Sequence, residues 1–361
     1  MPAMKENDSI GLLRELCDAH GVSGYEDDVR EIIGRRVKPL VDEVRTDPLG
    51  NLIAVREGAT PAAPTLMIDA HMDEIGLVVS YVERAGFLRF AAVGGWDERV
   101  LPAQAVAVRT RAGTIVPGVI GAIPPHIQRD EDRRKPYGVD AMFIDVGARS
   151  REEVAELGIG VGDSAVPSQP FGVLSNGAVM GKALDDRAGC AVAIQVLEAL
   201  ASEPRLPVRV AAVFSTFEEV GARGAHVASY TVDPQIALVL EGTVAGDFPG
   251  VPESRSPSAQ GRGPVVTIMD RNTHCPPKVV RFLESLAERN GIEYQHKTPI
   301  FGGTDGARIH VSRAGVLTGI VSVPCRYIHS PRAVMRMDDF EQTVRLAGAF
   351  ARECATLLDK S

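Results

Sequence analysis

Two adjacent carboxylates, Glu218 and Glu219, stand just beyond the apolar run Val208–Phe214, in the stretch Thr216-Phe217-Glu218-Glu219-Val220-Gly221. Neighbouring side chains at a strand end point in different directions, so the two suit different tasks. One reads as a metal ligand and the other as a group that moves a proton. Other polar residues recur in the same setting. His71 and Asp73 follow the run Thr65–Ile68, Asp185 and Asp186 precede a helical pattern, Glu241 closes Ile236–Leu240, and His329 lies shortly beyond Val316–Val323. Taken singly, a strand-end Asp or Glu is most often a cap and a lone His a satisfied polar group. The coincidence of so many such positions is what points to a site.

Imidazole nitrogens and carboxylate oxygens suit zinc, cobalt or manganese, and two such ions side by side need a carboxylate able to bridge them. Five ligands with one bridging Asp would complete two sites, each keeping an open position. In His71-x-Asp73 one ring nitrogen can bind metal while the carboxylate takes the N–H of the other and fixes the tautomer. A Glu that does not ligate, beside one that does, supplies a general base. The chemistry this describes is hydrolysis without a nucleophilic side chain.

Positioning such residues at strand ends is the work of an α/β sheet, where ligands gather beyond the carboxyl ends of the strands. The periodicity predicts helices over Ser9–Ala19 and Glu26–Val37, then strands over Val41–Arg45, Asn51–Val55 and Thr65–Ile68. Between Ile75 and Val166 short strand patterns recur: Leu77–Val82, Phe87–Val93, Ala105–Arg109, Thr114–Ile120 and Ala141–Val146. A capping box at Ser150 and Glu153 opens one short helix there. The mixed-charge stretch Gln128–Tyr137 reads as a solvated loop. Helix and strand patterns then alternate to a last helix over Asp338–Leu358. We therefore expect a mostly parallel sheet covered by helices, formed by residues 1–74 and 167–361, with a β-rich domain inserted at 75–166.

Composition narrows the field. The chain has 361 residues, 39 basic against 47 acidic, for a net charge of -8, which gives no basic footprint for nucleic acid and disfavours anionic membranes. Five cysteines without a Cys-x-x-Cys pair argue against a thiolate zinc site and for a reducing compartment. No apolar stretch approaches a membrane span and the first ten residues lack a signal-peptide core, so a cytoplasmic protein is expected.

The chain resembles the co-catalytic metal aminopeptidases that form tetrahedral dodecamers, a family that includes glutamyl and deblocking aminopeptidases. The matching stretches are Gly21-Val22-Ser23-Gly24-Tyr25-Glu26, Asp69-Ala70-His71-Met72-Asp73-Glu74-Ile75-Gly76, Lys182-Ala183-Leu184-Asp185-Asp186-Arg187, Glu218-Glu219-Val220-Gly221, Glu241-Gly242-Thr243, Gly302-Gly303-Thr304-Asp305 and Arg326-Tyr327-Ile328-His329-Ser330. They follow the family's order along essentially the whole chain. The resemblance implies two divalent ions per subunit, zinc, cobalt or manganese. His71, Asp185 and Glu241 would hold one, and Asp185, Glu219 and His329 the other, with Asp185 bridging. It assigns Glu218 as general base, Asp73 as the carboxylate that orients His71, and Gly303, Thr304 and Asp305 to the substrate cleft. It also implies peptide substrates, subunit contacts through the β-rich insert, and a dodecamer built from dimers. The sequence departs from relatives at Glu241, where some carry Asp, and at Phe217, where many carry Gln.

Other readings are weaker. A deacylase or carboxypeptidase would use the same ligands, and only the resemblance selects the amino end of a peptide. A glycosidase would leave His71 and His329 unexplained, and aromatic residues for sugar stacking are scarce, with one Trp. An inactive metal-binding subunit would have no use for Glu218.

Overall fold

A computed structural model of the chain describes residues 6–128 and 135–358. Most of the mixed-charge stretch read as a loop, from 129 to 134, lies outside the described residues. The centre of the molecule is a four-stranded parallel block, in spatial order Arg209–Ser215, Thr65–His71, Ile236–Val244 and Leu317–Arg326. Strands covered on both faces must be apolar throughout, and Thr65–His71 is buried at all seven positions. Antiparallel strands extend the block on both sides. Glu43–Thr46 and Leu52–Arg56 flank Arg209–Ser215, while Ala333–Arg336, Ala178–Gly181 and Gly172–Val173 extend from Leu317–Arg326. The last three are short and pair with partners distant in sequence, and no strand pattern marks them.

Helices cover the sheet. Leu184–Ala201 is the most deeply placed, its residues from Arg187 to Leu197 all buried. Its first turn is irregular: Asp185 and Asp186 have non-helical backbone angles, and regular bonding begins with the Arg187 N–H donating to the Ala183 carbonyl at 3.0 Å. That agrees with a helix starting at Arg187 and leaves the Asp pair free to face the sheet. The Ser150 hydroxyl accepts from the Glu153 N–H at 3.2 Å and caps the short helix Arg151–Glu156.

Gly76–Val82, Leu88–Val93, Phe143–Asp145, Ile115–Gly121, Ala105–Arg109 and Ser164–Pro167 close into a separate six-stranded barrel. It has its own core, including Leu77, Leu88, Val106, Ile120 and Ile144. Ile115–Gly121 alternates as a strand should, with Val116 and Ile120 buried and Ile115 and Val119 exposed, so it carries apolar side chains on both faces. His20, after the first helix, ties the two bodies together through Nε2 and the Ser164 hydroxyl at 2.8 Å. No helix among the described residues is long and apolar enough to cross a membrane.

One expectation shifts. Ile236–Val244 does not stop at Glu241, because pairing with Leu317–Arg326 continues from Glu241 opposite Ser322 to Val244 opposite Cys325. The two-residue strand Val265–Val266 pairs with both Gln295–His296 and Leu317–Arg326.

Candidate metal centre

The sequence-selected residues converge beyond the carboxyl ends of the parallel strands. His71 is the last residue of its strand and is buried. Its Nε2 lies 3.2 Å from Asp185 Oδ1 and 3.7 Å from Glu241 Oε2. His329 approaches from the other side, its Nε2 3.3 Å from Asp185 Oδ2 and 3.3 Å from Glu219 Oε1. Asp185 therefore presents one oxygen to each imidazole, which is the disposition a bridging carboxylate needs.

The donor set fits divalent cations. Tetrahedral ligands held at about 2.0–2.1 Å from a zinc ion are about 3.3–3.4 Å apart, close to the separations around Asp185. The charge balance agrees. Asp185, Glu218, Glu219 and Glu241 crowd together with only the two imidazoles as ion-pair partners among the described residues. Burial alone would lower the pKa of His329, yet Asp185 and Glu219 outweigh it and hold the ring up at about 11. Burial also pushes Glu218 and Glu241 well above the usual carboxylate range. Carboxylates gathered this densely call for cationic charge, and divalent ions supply it without protonating the ligands.

Asp186 competes with Asp185 on position alone, since donor atoms of His71, Asp186 and Glu241 lie within 4.8 Å of one another, as do those of His71, Asp185 and Glu219. Hydrogen bonding separates them. Both Asp186 oxygens are occupied by backbone donors, the His71 N–H at 3.2 Å and the Gly189 N–H at 2.9 Å. Asp186 thus braces the helix start against the strand, and Asp185 is the one left facing the imidazoles.

Asp73 is placed differently from the simple triad. The His71 Nδ1 contacts the Asp73 backbone carbonyl at 3.0 Å, with the carboxylate farther off at 3.5 Å. The carboxylate instead accepts from the Ser23 hydroxyl at 2.6 Å and from the backbone N–H groups of Glu218 at 3.0 Å and Glu219 at 3.1 Å. It holds the turn that carries both glutamates. That turn departs from its strand through Thr216, anchored to Asn51 Oδ1 at 2.9 Å, and Phe217, whose φ of 58° is left-handed. His329 is left-handed too, with φ 56°, and Ala183 before the Asp pair has φ 55°. Strained backbone of this kind persists where surrounding structure fixes it, and it clusters at functional sites.

A cleft of ≈ 660 Å³ opens onto the centre, lined among others by His71, Asp185, Glu218, Glu241 and His329. Glu218 borders it, whereas Glu219 is turned toward His329. Gly303 and Thr304 line the cleft. Asp305 does not: it is buried behind the centre, where its carboxylate accepts from the Ser215 hydroxyl at 2.6 Å. As the residue that precedes the short helix Gly306–Ile309 it is turned inward, so a direct substrate contact is not its place.

Several supports escaped the sequence reading. Ser23 belongs to one of the stretches that carry the resemblance, but its bond to Asp73, 50 residues away, leaves no mark in the sequence. Gly95 is a clearer signal in retrospect. Its carbonyl fixes His329 Nδ1 at 2.9 Å, and a Cβ there would lie 3.1 Å from that same nitrogen. The pair Gly94-Gly95 marks that close approach. Lys297, on the cleft wall, carried no periodic or motif signal.

Comparison with known proteins places the chain among aminopeptidases. The family model described as M42 glutamyl aminopeptidase matches residues 50–346. Lysyl aminopeptidase of Pyrococcus furiosus is 35% identical over 95% of this chain and 96% of its own. The TET aminopeptidase structure from a marine-sediment Thaumarchaeota archaeon superposes with a TM-score of 0.93 at 36% identity, covering 97% of each chain. The Pyrococcus horikoshii TET1 peptidase, which can assemble into a tetrahedron or a large octahedral shell, gives a TM-score of 0.84 at 35% identity, over 96% of this chain and 99% of its own.

Proposed function

The chain belongs to the M42 glutamyl aminopeptidase family, and from that premise we propose that it is a two-metal aminopeptidase that removes the first residue of peptides with a free α-amino group. The observation that carries the proposal is Asp185, with one oxygen toward His71 and the other toward His329. His71, Asp185 and Glu241 would hold one ion, and Asp185, Glu219 and His329 the other. When bound, a pair of divalent ions supplies Lewis-acid polarisation of a carbonyl and a water of lowered pKa.

The chain's own residues do the rest. Glu218 borders the cleft and ligates nothing in this assignment, so its carboxylate takes a proton from the attacking water and returns it to the departing amine. Burial pushes its pKa up, and the cations that the site calls for would pull it back toward the carboxylate form that a base needs. Asp73 fixes the Glu218 and Glu219 backbone, and the Gly95 carbonyl fixes the His329 ring. The same reading extends to assembly: the barrel, with its exposed apolar Ile115 and Val119, is where we place subunit contacts leading to a dimer-built dodecamer.

Glu218→Gln tests the assignment directly. Turnover of a free-amine peptide is expected to fall by about 10²–10⁴-fold while metal content by elemental analysis stays unchanged. A variant that keeps most of its rate would remove Glu218 from the mechanism.

A further inference from the structure

Lys297 follows the short strand Gln295–His296 and lines the same cleft as Glu218 and His329. It is only 7% exposed. Its backbone N–H donates to the Val266 carbonyl at 3.1 Å, but no carboxylate or carbonyl among the described residues receives its ammonium group. The side chain reaches Gly302, also on the cleft wall, where an added Cβ would lie 3.9 Å from Nζ. The ammonium is not among the buried polar atoms left without a partner, so it opens onto the water of the cleft, where a substrate anion could replace that water.

The cleft is therefore divided. Carboxylates and imidazoles gather at one end, where metal ions and an α-amino group belong. Lys297 stands on another wall, with the Asn272 amide and the exposed Arg308 also lining the space. Resting on the aminopeptidase reading, we infer that Lys297 is the anchor for a carboxylate of the substrate and so sets which peptides this enzyme prefers. That carboxylate belongs either to an acidic side chain on the first residue or to the chain terminus of a dipeptide. Both present the same anion, and both would complete the ion pair that the folded chain leaves open. A charge-assisted hydrogen bond of this kind is worth about 10- to 100-fold in kcat/KM.

The test compares metal-loaded wild type, Lys297→Met and Arg308→Ala on two matched pairs. Glutamyl and glutaminyl p-nitroanilide differ only by the side-chain charge; leucyl-leucine and its amide differ only by the terminal charge. Wild type is expected to favour the charged member of one pair by about 10- to 100-fold. Lys297→Met should erase that ratio while keeping the rate on the neutral member, and Arg308→Ala should retain it. The pair that responds identifies the source of the carboxylate. Ratios near one in wild type, ratios that survive in Lys297→Met, or equal loss on charged and neutral substrates would each overturn the inference.

If no free-amine substrate is cleaved, the aminopeptidase reading fails, and binding then decides on Lys297. Thermal shift with L-glutamate against L-glutamine, and with leucyl-leucine against its amide, should show the charged member of one pair stabilising wild type more than Lys297→Met. Equal shifts in the two proteins would overturn the role of Lys297 independently of catalysis.

Discussion

His329 illustrates how tightly single residues are constrained here. Its left-handed backbone turns the ring so that Nδ1 meets the Gly95 carbonyl and Nε2 faces Asp185 and Glu219. His329→Ala is expected to lose one metal ion per subunit, and unchanged stoichiometry by elemental analysis would contradict the ligand assignment. Asp73→Asn keeps the shape but replaces one acceptor oxygen by a donor, so one of the Glu218 and Glu219 N–H groups loses its partner. We expect kcat to fall by about 10²-fold, the effect of a small misplacement of a reacting group, with little change in metal content. A rate within twofold of wild type would show that the turn is held by other means. The His and carboxylate identities were legible in the sequence, because polar residues at apolar run ends stand out. The roles within each pair were not. Asp185 and Asp186 are equivalent on paper, and only the N–H groups of His71 and Gly189 separate them.

At the scale of elements, the parallel strands and the long helices were legible because buried strands are apolar throughout and amphipathic helices repeat at 3.6 residues. Short edge strands such as Gly172–Val173 carry no such signal, and their existence depends on partners distant in sequence. The extension of Ile236–Val244 past Glu241 likewise depends on the strand beside it. The His20 contact between the first helix and the barrel adds a pH dependence. Burial lowers the His20 pKa from 6.5 to about 3 in the folded protein. Between those values the unfolded chain binds a proton that the folded chain does not, so stability is lost as pH falls through this window. His20→Leu should flatten the dependence of the unfolding midpoint on pH between about 6.5 and 3; an unchanged slope would mean that other groups set it.

For the whole molecule, the split into a sheet body and a barrel was readable as a change of texture after Ile75, while the closure of six short strands was not, since pairing between sequence-distant strands leaves no local mark. The barrel exposes Tyr81, Ile115 and Val119, the last two on the same face of one strand. Ile115→Lys combined with Val119→Lys is expected to lower the native mass of the assembly without unfolding the barrel. A variant with unchanged mass by light scattering, and native circular dichroism, would move subunit contacts elsewhere.

We propose that this chain uses two metal ions to release residues from a free amino terminus. The most direct test is hydrolysis of short peptides, free or acetylated at the N-terminus, by metal-stripped protein and by the same protein re-supplied with zinc, cobalt or manganese. Release of the first residue only from free-amine peptides, only with metal, and maximal at two ions per subunit is the predicted result. Cleavage without metal, saturation at a single ion, or equal cleavage of acetylated peptides would contradict it.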